Sequence, residues 1–354
     1  MRPARRPSPS KGAGVVCFPV PRMNRVLVPR NLSPQSLPPH PDGGSLHALK
    51  GRSMGTTWSV LLVAPADDLR WLGAGVQQEL DRVVAQMSHW EPDSDLCRYN
   101  AATAGSWHAL PAEFMEVLEA AREYAQVSAG AFDPTIGPLV DAWGFGPVSQ
   151  RDNPPSAAEI DAARARVGWQ RLQLDDAGKR LLQPGGLQLD FSSIAKGYAV
   201  DQLARYLGRA GVDHWLVEVG GELRGQGCKP DGQPWWVELE RVDESLTHTV
   251  LALHGLSVAT SGDYRRYFEH EGRRYAHTLD PRSGWPVTHA LASVTVLHPE
   301  CMAADALATV LGVLEPDEAH DFATRHDFAA QFVLRSGGGF VERLTPAFKA
   351  LASD

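Results

Sequence analysis

Arg265-Arg266-Tyr267-Phe268-Glu269-His270-Glu271-Gly272-Arg273-Arg274-Tyr275-Ala276-His277-Thr278-Leu279 is the stretch that decides the fold class. Two short runs rich in aromatic residues flank Glu271-Gly272. Such runs, separated by two residues of which the second is glycine, read as antiparallel strands joined by a tight hairpin, because the turn needs positive φ. Parallel strands need a long crossover instead. Working outward, alternation and β-branched residues predict strands at 57–63, 187–191, 215–219, 235–239, 249–253, 255–259 and 292–297, with a second hairpin around Asp175-Asp176-Ala177-Gly178. Helical spacing appears at 67–89, at 112–128 with Gly130 as its stop, at 157–167, at 194–208 with Ser192 and Ser193 as N-cap candidates, and around Asp305. Helices and hairpins interleave, which predicts an α+β fold with a mixed, largely antiparallel sheet and packed helices.

The chain has 354 residues and a formal net charge of -8, which argues against a general nucleic-acid binder. Cys17, Cys97, Cys228 and Cys301 form no C-x-x-C pair and suggest neither a zinc site nor a disulfide framework. No apolar run is long enough to cross a bilayer. Residues 1–45 hold ten of the 26 prolines, and residues 1–52 carry nine Lys or Arg against one acid, Asp42. The expected organisation is a disordered basic tail over 1–45 and an ordered domain over 46–354, with two subdomains as an alternative. Arg5-Arg6 is followed by no apolar core of adequate length, so the chain as written reads as cytoplasmic. Met23 is an alternative start.

Several polar clusters could carry chemistry. Asp305 and Thr309 stand four residues apart on a helix, hence on one face, and two hard oxygen ligands suit magnesium. Asp190-Phe191-Ser192-Ser193-Ile194-Ala195-Lys196 ends a strand and opens a helix, where N–H groups attract phosphate. Lys196 sits at the end of that helix that disfavours a cation, a hint of a binding task. A surface lysine is the plain alternative. His277 precedes the Asp280-Pro281 turn, and an imidazole suits proton transfer near neutrality. Phe132 and Asp133, after a helix, could stack on and accept from an aromatic ligand. Together the clusters suggest an anionic, phosphorylated ligand with a hard metal.

The residues 54–57, 87–100, 130–135 with 143–146, 190–198, 220–223, 260–264, 277–284 and 305–309 occur in an order that resembles the ApbE family, the FAD:protein FMN transferases. The resemblance spans roughly residues 50–325 and implies an ApbE-like, T-fold-like architecture. It implies that FAD is cleaved with magnesium, AMP is released, and FMN is joined by a phosphoester to a Thr or Ser hydroxyl of an acceptor protein, usually a membrane redox subunit. By that resemblance Asp305, Thr309 and the Ser193 carbonyl are metal ligands. Met54, Trp90, Ala131, Phe132, Asp133, Asp190, Lys196 and Thr278 line the FAD site, and His277 is the catalytic histidine. Trp90 stands where the family commonly has tyrosine. Family members in Gram-negative bacteria usually work in the periplasm at the inner membrane, an alternative to the cytoplasmic reading. A magnesium-dependent FAD pyrophosphatase and a non-catalytic flavin-binding protein are the competing functions.

Overall fold

The computed structural model describes residues 25–29, 31–33, 35, 37–147, 151–175, 177, 179–264 and 266–352. An eight-stranded sheet forms its centre, in the spatial order Gly339–Leu344, Ala329–Ser336, Leu291–His298, Leu256–Gly262, Glu222–Gln226, Trp215–Val219, Thr56–Ala64 and Ser45–Ser53. Every pairing within it is antiparallel. Among the described residues, parallel pairing is confined to Arg25–Leu27 against Thr249–Ala252 and a single bridge from Ile136 to Gln188. The Glu271-Gly272 hairpin forms as expected, with φ of 49° and 72° at its two turn residues, joining Tyr267–His270 to Arg273–Ala276.

Alternate residues of the sheet face two cores. Val60, Leu62, Val217, Val219, Val294 and Val296 meet the helices Leu69–Met87, Ala112–Val127, Ala195–Arg209 and Cys301–Val313. Cys301–Val313 is apolar nearly all round, so it lies buried between the sheet and its neighbouring helices. On the opposite face Leu216, Leu223 and Val258 pack against Leu27, Trp235, Leu251 and Phe348. Among the described residues no helix is long and apolar enough to cross a membrane.

Four expectations change. Arg25–Leu27 is a strand with Leu27 fully buried, so order begins before residue 46: an apolar triplet, Val26 to Val28, finds a strand to pair with on a distant part of the chain. Residues 1–24, including Arg5-Arg6 and Met23, lie outside the described residues, as do Asp176, Gly178 and Arg265. Residues 187–191 form no strand beyond the Gln188 bridge. Side-chain amides satisfy their backbone instead: Asn100 exchanges two bonds with Leu189, and Gln183 does the same with Leu187. Ser192 and Ser193 do not cap the following helix, whose N-cap is Ile194. The Ser192 hydroxyl and N–H both donate to Asp190, and a carboxylate from another helix receives the Gly197 N–H. The run 273–279 breaks into two strands at His277.

Candidate active site

A cavity of about 200 Å³ opens to solvent where the 130–145 segment, the start of the Ala195–Arg209 helix and the Tyr267–Ala276 hairpin converge. Ala131, Phe132 and Asp133 form one wall. Asp190, Ser193, Thr309, His277, Thr278 and the half-exposed Trp90 also line it. Nine of the twelve residues singled out from the sequence therefore share one cavity. Met54, Lys196 and Asp305 do not line it.

Local chemistry fixes this lining. The helix Ala112–Val127 ends at Ala129 and Gly130, both at positive φ, which turns the chain so that Asp133 points inward. One Asp133 oxygen accepts the Thr135 N–H at 2.8 Å and hydroxyl at 2.7 Å; the other accepts the Trp169 N–H at 3.1 Å. Burial pushes this carboxyl above its ordinary value, against the pull of those hydrogen bonds. Asp190 is similarly tied to Ser192 and donates its own N–H to the Pro134 carbonyl, joining the 190–193 and 131–134 segments.

Asp305 lies one turn before Thr309 on the buried helix, where such spacing leaves side chains about 5–6 Å apart. Its Oδ2 accepts the Gly197 N–H at 2.9 Å, and Lys196 Nζ stands 3.9 Å from Oδ1. Lys196 is ion-paired to Glu222. The charge that looked misplaced at a helix start is thus balanced by two carboxylates from other elements. Met54 sits at φ 52° in the turn between Ser45–Ser53 and Thr56–Ala64, at the sheet end that also holds Gly220 and Lys196.

His277 is held by the hairpin itself. Its N–H and its Nδ1 both reach the Arg266 carbonyl, at 3.1 Å and 3.0 Å. A carbonyl only accepts, so Nδ1 carries the proton and the lone pair of the neutral ring lies on Nε2.

A family model described as the ApbE family matches residues 54–332. The chain belongs to the ApbE family. It is 36% identical over 315 residues to a Haemophilus influenzae FAD:protein FMN transferase, covering 86% of this chain and 91% of the relative. A Klebsiella pneumoniae FAD:protein FMN transferase is 37% identical over 311 residues, covering 85% and 88%. The apo crystal structure of the Pseudomonas stutzeri flavinyl transferase ApbE superposes with TM-score 0.82 at 44% identity, covering 87% of this chain and 97% of that one. The Vibrio cholerae flavin transferase ApbE gives 0.81 at 34% identity, covering 87% and 99%.

The cavity of this ApbE-family chain has further lining residues that sequence reasoning missed. His89, Phe145, Ser261 and Arg266 face the cavity. Ser261 lay within a polar cluster noted in the sequence, but nothing local marks Arg266, which is one of four arginines in that hairpin. Away from the ApbE site, His40, His214 and Cys228 gather at the other end of the strand Trp215–Val219. His214 Nδ1 accepts the Cys228 N–H at 3.0 Å and its Nε2 faces the Pro39 carbonyl at 3.4 Å. Both ring nitrogens are spoken for, so this group serves to hold the 227–228 backbone and offers an ion two ligands at most.

Proposed function

We propose that the chain binds FAD in this cavity and transfers its FMN half to a Thr or Ser hydroxyl of an acceptor protein, a membrane redox subunit by family habit, with release of AMP. The body that carries the reaction extends beyond the expected 46–354 unit, because the Arg25–Leu27 strand packs into its second core. The carrying observation is that the His277 imidazole and the Thr309, Ser193 and Asp190 positions border one cavity. The names of relatives 36–37% identical over most of the chain support the reaction.

The acceptor oxygen attacks the FMN phosphorus. His277 Nε2 takes its proton, since an alcohol is a poor nucleophile until a base does so. The P–O bond to the AMP phosphate breaks, and AMP leaves with the bonding pair. Phe132 and Trp90 offer aromatic faces for the flavin ring. The donors Asp305, Thr309 and the Ser193 carbonyl are all hard oxygens, with Asp305 buried and pre-aligned by the Gly197 N–H, a set that fits magnesium. Held there, the ion would supply charge neutralisation at the diphosphate.

The test is mass spectrometry of an acceptor incubated with the chain, FAD and magnesium. One FMN on a Thr or Ser, with one AMP released per modification, is expected. Release of AMP and FMN at the full rate with no acceptor present would replace transfer by hydrolysis.

A further inference from the structure

The cavity needs a cation of the protein's own. Asp133 and Asp190 both line it, and two carboxylates oppose entry of a diphosphate. Lys196, the cation nearest in sequence, is engaged by Glu222 and Asp305 and stands outside the lining. The arginines around the site are also occupied: Arg282 pairs with Asp280, Arg335 with Asp263, and Arg274 donates to the Asp263 carbonyl.

Arg266 differs. Its side chain lines the cavity, and its guanidinium lies 5.4 Å over the Phe145 ring. Among the described residues that guanidinium makes no hydrogen bond and no ion pair. A contact with the ring face consumes none of its N–H donors, and a guanidinium fork can grip phosphate oxygens two at a time. Partial burial works against its charge while Asp190 works for it, so the group is neither fully hydrated nor locked to a carboxylate. The same residue's carbonyl holds the His277 ring, which puts the guanidinium and the imidazole on one short piece of backbone pairing.

We propose that Arg266 is the diphosphate clamp of the bound FAD: its guanidinium grips phosphate oxygens beside His277 and balances the negative charge that gathers on the AMP phosphate as the P–O bond breaks. This assignment rests on FAD being the substrate. It makes one residue, just before the Tyr267–His270 strand, supply charge neutralisation through its side chain and base alignment through its main chain.

The test uses Arg266→Gln and Arg266→Lys in the full chain. FAD and riboflavin are titrated separately by flavin fluorescence, and transfer to an acceptor is timed. Riboflavin has the ring without phosphates. Arg266→Gln should weaken FAD binding about tenfold or more, leave riboflavin binding within about twofold, and lower the transfer rate about 10²–10³-fold, the usual cost of one charge-stabilising donor. Arg266→Lys, which keeps the charge without the fork, should recover part of both losses. Equal loss of FAD and riboflavin affinity would make Arg266 a mere support for Phe145 and overturn the proposal. So would unchanged FAD binding and rate, or a lysine variant no better than glutamine. Wild-type protein that binds FAD but modifies no acceptor would fail the transferase reading alone, because the titrations stand apart from transfer.

Discussion

His277 shows how a single side chain is prepared for its task. The Arg266 carbonyl accepts the Nδ1–H hydrogen bond, which in the proposed mechanism leaves Nε2 as the nitrogen that meets the acceptor hydroxyl. His277→Ala should cost about 10²–10⁴-fold in transfer rate while FAD binding stays within a few-fold, read from initial rates and a flavin titration. His277, Phe132, Asp133, Asp190 and Thr309 each stand in a short polar cluster that local sequence marks, and the structure places all five on one cavity. Lys196 was noticed for the right physical reason, a cation at the wrong helix end, but its partner could not be read. Glu222 and Asp305 reach it from other elements, and only the packed fold sets that meeting. Arg266 was invisible for the converse reason: four arginines share its hairpin, and only packing shows which one faces inward.

Two helices, Ala195–Arg209 and Cys301–Val313, are built to approach closely beside the cavity. At Gly197 an added Cβ would lie 2.3 Å from the Cys301 carbonyl oxygen and 2.8 Å from the Asp305 Cβ. In exchange for that closeness Asp305 receives the Gly197 N–H, and Asp201 receives the Cys301 and Met302 N–H groups, so each helix caps the other's start. Gly197→Ala should therefore cost about 1–3 kcal/mol in urea unfolding, since backbone and not a flexible side-chain tip blocks the methyl. It should also reduce activity under conditions where the variant stays folded, because Asp305 must shift. Both helices were read from the sequence; the caps were misread because Ser192, at the expected place, bonds locally to Asp190 and Ile194 takes the N-cap position. The 187–191 segment was misread similarly, its backbone bonds going to Asn100 and Gln183 instead of a neighbouring strand.

Across the whole molecule, acid is resisted unevenly. His214 and His254 are buried, and each accepts a backbone N–H through Nδ1, from Cys228 and Gly227. Burial pulls both rings below the ordinary imidazole value. The unfolded chain then takes up protons first as pH falls through about 6.5, so stability is complete above that value and declines below it. Asp133 and Glu218, whose carboxyls burial holds up, act in the opposite sense and offset part of the decline. The melting temperature should hold between about pH 8 and 7 and drop toward pH 5, and His254→Gln should flatten that drop in thermal scans. Antiparallel pairing was legible from hairpin turns, although the turns that signalled it belong to small separate sheets and not to the eight-stranded one. The small parallel pairing at 25–27 was not, because a three-residue strand has no periodicity to show.

That pairing has a practical outcome. Val28 donates its N–H to Leu351, and Leu27 bridges Ala352, so the first and last described stretches run side by side on the sheet face turned away from the long helices. A partner fused directly at Arg25 or Ala352 would leave the body from one shared corner, on the sheet face opposite the long helices. A copy held at either of these two positions would therefore turn the same opposite side outward.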